Sequence, residues 1–251
     1  MEYLVSMTTH VPNGTPDEAV EDVRAREAAH SRELATQGYL LRLWRPPLQP
    51  GEWRSLGLFA ADDGDQLEEV LASMPLRVWR TDEVTPLSLH PNDPALAAKG
   101  RVEGATEFLT TFTVSIPAGT SAQAVEDAET AEAQRAKELA GQGHLERLWM
   151  LPGTGGALGL WRARDGDQMQ AIVKSLPLDR WMTTQTTPLT SHPSDPGLSA
   201  CAGKSRWACR YPPGVQTGNH YPSPAGGSQQ PRPRDRRRSG DAPSQERDGI
   251  A

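Results

Sequence analysis

The sequence predicts an α+β fold made of two ferredoxin-like units, each with the element order β-α-β-β-α-β. The first observation behind this prediction is a repeat: E-L-A-T-Q-G-Y-L-L-R-L-W at Glu33–Trp44 returns as E-L-A-G-Q-G-H-L-E-R-L-W at Glu138–Trp149. The second is that strand-like and helix-like hydrophobic patterns follow one another in the same order in both copies. We therefore expect a tandem duplication of one small domain.

The spacing of the repeat divides the chain. The copies are 105 residues apart up to the tryptophans, and 102 residues apart after a loop that is three residues shorter in the second copy. The later spacing pairs the His-Pro dipeptides that begin at His90 and His192. These matches place a first unit at residues 1–94, a linker at 95–105 and a second unit at 106–197, and each unit has the size of a small domain.

The first helix of the first unit follows a strand at Glu2–Thr9 and has clear signals at both ends. Thr15 and Glu18 are spaced as a capping box, and Pro16 stands where a helix tolerates the missing N–H. Gly38 suits the left-handed residue that ends such a helix. We therefore expect a helix between Thr15 and Gly38.

Two strands, a helix and a last strand complete the unit. The strands cover Tyr39–Arg45 and about residues 53–60, and a D-G-D-Q motif opens the helix that Pro75 ends. The last strand covers about residues 78–89, and its Pro86 indicates a sheet edge or a bulge. Two helices on one face of this antiparallel sheet leave the other face open, so we expect the second unit to cover it.

Composition argues against several kinds of partner. The net charge is −6, and because nine Lys/Arg and four Asp/Glu follow from Lys204 onward, the preceding part carries −11. An acidic body argues against nucleic acid as a partner. No stretch approaches the roughly 18 apolar residues of a membrane span. We therefore expect a cytoplasmic protein with no membrane association.

The C-terminal part differs in composition from both units. Residues 198–251 are rich in Pro, Gly, Ser and Arg and show no periodicity, so we expect a disordered tail. Both cysteines, Cys201 and Cys209, stand in this tail. They support neither a disulfide framework nor a zinc site.

A glutamate interrupts the apolar face of the first helix. Steps of three and four residues along that face lead through Glu27 to Leu34, and the second copy carries Glu132 at the equivalent position. A carboxylate that is buried without a partner has a raised pKa and suits a general base. The alternative is an edge glutamate that pairs with Arg32 or Arg42 in solvent.

Three basic residues near these glutamates are candidates for substrate contacts. Arg42 returns in the second copy as Arg147, whereas Arg45 is replaced by Met150. An arginine that faces a covered sheet needs an anion, which is either a protein carboxylate in a structural salt bridge or a ligand. His30 is the third candidate, and the alternative for it is a half-buried helical histidine.

Four short motifs keep a fixed order along the first unit. They are Glu27 eleven residues before Gly38, L-W-R ending at Arg45, M-P-L at Met74–Leu76 and P-L-x-x-H-P at Pro86–Pro91. They cover nearly all of residues 1–94 and return over residues 106–196 with L-W-M in place of L-W-R. In this combination the chain resembles the muconolactone delta-isomerase family, as a tandem duplication of its domain.

The resemblance implies an assembly and an activity. Family subunits pair sheet to sheet into a dimeric α+β barrel, so the two units here form an internal pseudo-dimer that can assemble further into a homo-oligomer. The family moves the ring double bond of muconolactone in aromatic catabolism, without metal or organic cofactor. The small-molecule substrate implied here is an unsaturated lactone. Glu27 and Glu132 match the carboxylate base, and Arg45 matches the family's arginine, so we expect Arg45 to bind the lactone's carboxylate side chain.

The remaining site positions differ from the family pattern. Trp53 and Ser55 stand where the family has an aromatic residue and an asparagine after the loop, and Arg42 stands at the place of a family histidine. The second copy has Met150 in place of Arg45 and small residues in place of Trp53. We therefore expect the first unit to carry the chemistry.

Two other functions fit the same sequence. Dimeric ferredoxin-like barrels also serve as cofactor-independent oxygenases. A non-catalytic ligand-binding or assembly module, in which duplication fused a dimer, is the alternative from another class. One Glu and one Arg per site favour proton transfer, because a binding module needs neither.

Overall fold

A computed structural model describes residues 1–94, 104–153 and 156–199 of the chain. Most of the linker expected at 95–105 and nearly all of the tail expected at 198–251 lie outside these ranges. No helix in the described ranges is long and apolar enough to cross a membrane.

Both units have the predicted order of elements. The first unit contains β1 (Glu2–Thr9), α1 (Asp17–Gln37), β2 (Leu40–Arg45), β3 (Arg54–Ala60), α2 (Gly64–Ser73) and β4 (Arg80–Leu89). The second contains β5 (Thr106–Val114), α3 (Ala122–Gly141), β6 (Leu145–Met150), β7 (Gly156–Ala163), α4 (Gly166–Lys174), β8 (Met182–Ser191) and α5 (Pro196–Ser199). Short 3-10 turns, Pro75–Trp79 and Asp179–Trp181, precede β4 and β8.

The eight strands form one closed barrel in the order β1-β3-β2-β8-β5-β7-β6-β4. Each unit contributes a four-stranded antiparallel sheet, and the two sheets join along β2–β8 and β4–β6. In these two seams Arg45 lies opposite Thr190, and Leu89 lies opposite Trp149. The predicted pseudo-dimer is therefore present, with the open face of each sheet turned toward a shared interior.

The prediction that Pro86 marks a sheet edge or a bulge is confirmed as an edge, because β4 is the outer strand of the first unit's sheet and no bulge interrupts its pairing with β1. β4 continues through Pro86, which lies opposite Tyr3 of β1, and its last residues, Ser88 and Leu89, pair with β6. Because Pro86 precedes the residues that pair with β6, its missing N–H removes no bond from that seam. The strand begins at Arg80, two residues later than predicted, because the 3-10 turn occupies the residues before it.

Three hydrophobic clusters fill the structure. One lies between each sheet and its two helices, and the side of the sheet that carries it is called the helix-facing side below. The third fills the barrel interior with residues of both units: Trp44, Leu58, Leu87, Leu109, Trp149, Leu158, Leu160 and Leu189. Successive residues of a strand therefore face the helices and the barrel interior in turn.

The ends of α1 follow the sequence signals in part. Gly38 ends the helix with a φ of 84°, as predicted. The capping box was wrong, because the Thr15 hydroxyl donates to the Pro12 carbonyl at 2.7 Å and caps no helix N–H. The hydroxyl closes the turn before the helix instead.

Two buried ion clusters join the units across the barrel. In the first, Arg42 of β2 donates to Glu107 of β5 through Nη1 and Nη2, at 3.0 and 2.6 Å. It also donates through Nη2 to Asp195 at 3.0 Å. The Trp44 ring N–H donates to the same Glu107 at 2.7 Å, and the Leu43 N–H donates to Asp195 at 2.9 Å. The second unit therefore supplies both carboxylates to the Arg42 guanidinium.

The second cluster is the counterpart of the first. Arg147 donates through Nη1 and Nη2 to Glu2 at 3.1 and 2.8 Å, and through Nε to Asp93 at 3.1 Å. The Trp149 ring N–H donates to Glu2 at 2.6 Å. Because a buried charge is costly without a partner, neither unit can keep these residues buried without the other.

Candidate functional site

Glu27 lies on α1 against the turn Pro75–Trp79, where two donors hold its carboxylate. Oε2 accepts the Leu76 backbone N–H at 2.9 Å, and Oε1 accepts from Nη1 of Arg80 at 3.2 Å. The Glu27 side chain is 13% exposed. The Glu27 side chain is therefore mostly buried. Its ion-pair partner is Arg80, and neither Arg32 nor Arg42, the two arginines considered from the sequence.

Arg80 connects this glutamate to a second carboxylate. The Arg80 side chain is 2% exposed, and its Nε donates to Oδ1 of Asp82 at 2.6 Å. Its two terminal nitrogens also lie 3.6 Å from the sulfur of Met74. Glu27, Arg80 and Asp82 thus form a buried row of alternating charges at the start of β4.

The protonation of Glu27 follows from these neighbours. Burial raises the pKa of Glu27 above its ordinary value, and the Asp82 carboxylate raises it further. The Leu76 N–H, Arg80 and His30 oppose this shift and do not cancel it. A raised pKa makes Glu27 a stronger base than a solvated glutamate, while Arg80 favours its ionised form.

Glu132 repeats one of the two contacts of Glu27. Its Oε2 accepts the Leu178 N–H at 3.0 Å. Met182 stands at the position that corresponds to Arg80, and no cation of the described ranges forms an ion pair with Glu132. Burial and the nearby Asp179 carboxylate raise the pKa of Glu132. The two glutamates therefore share a backbone anchor but differ in the charges around them.

Arg45 and Ser55 lie on the helix-facing side of the first sheet. Ser55 lies opposite Met7, which belongs to the helix-facing cluster. Arg45 shares its side of β2 with Leu43, another member of that cluster. Within the described residues, Arg45 has no carboxylate partner. It is thus a cation on the same side of the sheet as α1, available to an anion.

Trp53 links this region to Glu27 through the sheet and through α1. Its carbonyl accepts the Thr9 N–H at 2.8 Å, and Thr9 lies opposite Arg80 in the neighbouring strand. The guanidinium carbon of Arg24 lies 5.3 Å from the centre of the Trp53 ring. Because Arg24 precedes Glu27 by three residues, both face the sheet from one side of α1. Trp53 therefore lies against the same stretch of α1 that carries Glu27.

His30 is engaged by protein groups at both ring nitrogens. Nδ1 lies 3.0 Å from Oε2 of Glu33, and Nε2 lies 2.8 Å from the hydroxyl of Ser73 at the end of α2. In the second unit Arg135 contacts the equivalent Ser175 at 2.9 Å. The position thus bridges two helices in both units, and His30 has no unoccupied nitrogen for a substrate.

Arg42 does not join the other candidates. Its neighbour Trp44 belongs to the interior cluster, and its guanidinium is bound to Glu107 and Asp195 inside the barrel. Arg45, three residues later, is on the opposite side of the strand. Of the two interpretations considered for Arg42, the structural salt bridge describes its surroundings.

Sequence reasoning missed Arg80 and Arg24. Both positions differ between the copies, with Met182 and Glu129 as their counterparts. Arg24 also stands one helical turn before Glu27, on the same face of α1. A search for cations that are present in one copy and absent from the other would have found both residues.

The two sites therefore differ in charge. The first has three arginines around its glutamate where the second has a glutamate and two methionines: Arg24 and Glu129, Arg45 and Met150, Arg80 and Met182. At these three positions the first site therefore carries positive charge that the second does not. Across the described ranges, three or more His, Cys, Asp or Glu residues are nowhere grouped as metal ligands.

The fold and this site define a dimeric α+β barrel protein whose two subunits are fused in one chain, with one inward glutamate per unit. Residues 1–93 and 106–195 match the family model described as Muconolactone delta-isomerase. The chain therefore belongs to the muconolactone delta-isomerase family, as a tandem duplication of the family domain.

Individual relatives match one domain of this chain. A Muconolactone Delta-isomerase from Cupriavidus pinatubonensis is 33% identical over 92 residues, which are 37% of this chain and 97% of that protein. Muconolactone Delta-isomerase 1 from Acinetobacter lwoffii is 32% identical over 92 residues, or 37% of this chain and 93% of that protein. Each relative therefore corresponds to a single unit.

Solved structures match the whole fused barrel. A heme-binding protein from Thermus thermophilus has a TM-score of 0.51 at 15% identity, over 77% of this chain and 93% of that chain. A chlorite dismutase variant from Candidatus Nitrospira defluvii has a TM-score of 0.52 at 12% identity, over 75% and 91%. At such low identity the likeness concerns the fold alone.

Proposed function

We propose that the protein is an isomerase that shifts the ring double bond of a muconolactone-like unsaturated lactone by proton transfer through Glu27, in the catabolism of aromatic compounds. Family membership and the names of the relatives support isomerase chemistry. The surroundings of Glu27 support its role as the base, because burial raises its pKa and Arg80 keeps a cation beside it.

The reaction consists of two proton transfers. The base removes a proton from the γ carbon of the lactone ring, and the electron pair moves through the ring to the carbonyl oxygen, which gives a dienolate. The carboxylic acid formed at Glu27 then returns a proton to the α carbon. The double bond has moved, no atom is gained or lost, and no electron leaves the substrate, so the reaction needs no redox cofactor.

The raised pKa of Glu27 suits both transfers. A solvated glutamate is too weak a base for a ring carbon, whereas a desolvated one binds the proton more tightly and can still release it. The dienolate needs positive charge or N–H donors nearby. Arg80, whose Nη1 lies 3.2 Å from Glu27 Oε1, brings a cation to this region.

The other groups of the first site bind and enclose the lactone. Arg45 has no carboxylate partner among the described residues, so it can bind the carboxylate side chain of the substrate. Trp53 provides an apolar wall, and Ser55 provides a hydroxyl on the helix-facing side. Glu132 lacks the cations of the first site, so the first unit is proposed to carry the reaction.

The observation that carries this proposal is the inward carboxylate of Glu27, held by the Leu76 N–H and Arg80 on the same side of the sheet as Arg45. The direct test is to incubate the purified protein with muconolactone and follow ultraviolet absorbance as the double bond moves. Conversion that disappears in the double variant Glu27→Gln/Glu132→Gln supports the proposal. Binding of muconolactone without conversion would favour the ligand-binding module instead.

A further inference from the structure

We propose that Arg24 and His192 complete a carboxylate-binding subsite around Arg45, and that the second unit thereby supplies part of the first unit's site. The inference rests on the proposed function, because the ligand it assigns is the carboxylate side chain of the lactone. It adds the groups that select an anionic lactone over a neutral one.

His192 reaches the first unit through the seam between β2 and β8. Arg45 lies opposite Thr190, and the His192 backbone N–H donates to the Leu43 carbonyl at 3.1 Å. In this antiparallel register His192 falls opposite Leu43, two residues before Arg45. Residues that face each other across two strands share one side of the sheet. His192 therefore lies on the helix-facing side, next to Arg45.

The His192 ring presents a neutral N–H donor. Its Nδ1 accepts the Ser194 backbone N–H at 3.1 Å, so the proton of the neutral ring is on Nε2. Burial lowers the pKa of His192 to about 4, and the charges of Arg45 and Arg24 contribute to the lowering. The charges of both arginines therefore act on the ring. Within the described residues, no protein group accepts the Nε2–H.

Arg24 approaches the same place from the helix. Its guanidinium stacks at 5.3 Å from the centre of the Trp53 ring, which fixes it over the helix-facing side. Among the described residues its one ion pair joins Nη1 to Glu21 at 2.9 Å, and the side chain of that glutamate is 70% exposed. Such a surface pair contributes little and can exchange for a ligand carboxylate. Arg24, Arg45 and the His192 ring thus all lie on the helix-facing side of the sheet.

The second unit lacks this set of groups at the corresponding place. His90 replaces His192, and its Nδ1 also accepts a backbone N–H, from Asn92 at 3.0 Å. Glu129 stands in place of Arg24, and Met150 in place of Arg45. The histidine is therefore common to both sites, whereas the cations around it belong to the first alone. This difference provides a matched control within one chain.

The test is equilibrium binding of a ligand that cannot react, measured by calorimetry on the full chain. The probe is γ-butyrolactone with a carboxymethyl group on the γ carbon, which has no ring double bond, and the comparison is its uncharged methyl ester. The wild type is expected to bind the acid more tightly than the ester. Arg24→Glu is expected to weaken binding of the acid about tenfold or more and to leave the ester unchanged.

Two variants of His192 test whether binding depends on its Nε2–H donor or only on the folded structure around it. His192→Asn keeps an acceptor for the Ser194 N–H but removes the outward donor, and should weaken binding of the acid by about two- to tenfold. His192→Gln places an amide N–H near the Nε2 position and should restore part of the loss. His90→Asn, the matching change beside the second unit's site, should change neither affinity.

The outcomes distinguish this subsite from the reaction itself. Equal affinity for acid and ester, unchanged acid binding in Arg24→Glu, or an equal loss in His90→Asn would each overturn the subsite. A selective loss of acid binding in the Arg24 and His192 variants supports it, even in a protein that leaves muconolactone unconverted. That second result would count against the proposed reaction only.

Discussion

Arg42 and Glu107, one from each unit, form two parallel N–H···O bonds across the seam that closes the barrel. Both side chains are nearly buried, at 11% and 10% exposure. Burial alone would raise the pKa of Glu107, but the charge of Arg42 and hydrogen bonds from Arg42 and Trp44 lower it below its ordinary value. Glu107 therefore stays ionised at neutral pH, and the pair joins the two units.

Replacing Arg42 by methionine should destabilise the protein strongly. The variant leaves Glu107 and Asp195 buried without their main cation, and breaking a buried pair in this way costs about 3–5 kcal/mol. The free energy of unfolding of Arg42→Met, measured in urea, checks this expectation. A change below about 1 kcal/mol would show that the pair is not needed to hold the units together.

Arg45→Met is the matched control, because it makes the same substitution three residues later in the same strand. Arg45 is exposed and has no carboxylate partner among the described residues, so its loss should change stability by less than about 0.5 kcal/mol. The KM for muconolactone should instead rise about tenfold or more, since a charged hydrogen bond to the substrate is lost. An unchanged KM would remove Arg45 from the substrate site.

The sequence was sufficient to predict the repeat and the order of elements, because these follow from local periodicity. It placed Glu27 on the apolar face of its helix but left open whether the carboxylate is buried or pairs in solvent. It could not identify the partners of Arg42, because Glu107 and Asp195 are 65 and 153 residues away and belong to the other unit. Only the closure of the barrel brings them together. The choice between a structural salt bridge and a ligand therefore depended on tertiary structure.

The partner of Glu27 was missed for a related reason. Arg80 is 53 residues from Glu27, and it reaches the carboxylate only because β4 begins directly after the turn that covers α1. The role expected for His30 rested on its helical position alone. Ser73, which occupies its Nε2, is 43 residues away on another helix.

Glu132→Gln should stabilise the protein at neutral and alkaline pH. Burial raises the pKa of Glu132 in the folded state, so the folded protein binds this proton more readily than the unfolded chain does. Ionisation of Glu132 therefore costs stability as the pH rises through its folded-state pKa, whereas glutamine cannot ionise and still accepts the Leu178 N–H. The variant should melt above the wild type at about pH 8, and the difference should vanish near pH 4.

Thermal unfolding of the wild type and the variant across this pH range measures the effect. Glu126→Gln, at an exposed position on the same helix, is the control and should change stability by less than about 0.5 kcal/mol at every pH. A Glu132→Gln variant that melts below the wild type at alkaline pH would contradict the assignment of a costly buried charge.

Arg80→Met should shift the pH dependence of turnover. The variant copies the residue of the second unit, and it removes a cation that lowers the pKa of Glu27. Because the base acts in its ionised form, the acid limb of kcat/KM for muconolactone should move to higher pH. Met182→Leu, at the equivalent place in the second unit, should leave the profile unchanged. An acid limb that stays in place or moves to lower pH would argue against the influence of Arg80 on the base.

Glu27 is proposed to be the base, and the first unit is proposed to carry the reaction. The most direct measurement compares kcat for muconolactone in Glu27→Gln and Glu132→Gln, with the fold of each variant checked by its melting temperature. Glu27→Gln should lower kcat by roughly two to four orders of magnitude, because it keeps the shape of the side chain and removes the proton acceptor. Glu132→Gln should leave kcat within about twofold of the wild type, as expected for a residue that takes no direct part in the reaction. Unchanged turnover in a folded Glu27→Gln variant would show that Glu27 is not the base, and an equal loss in both variants would show that the first unit does not carry the reaction alone.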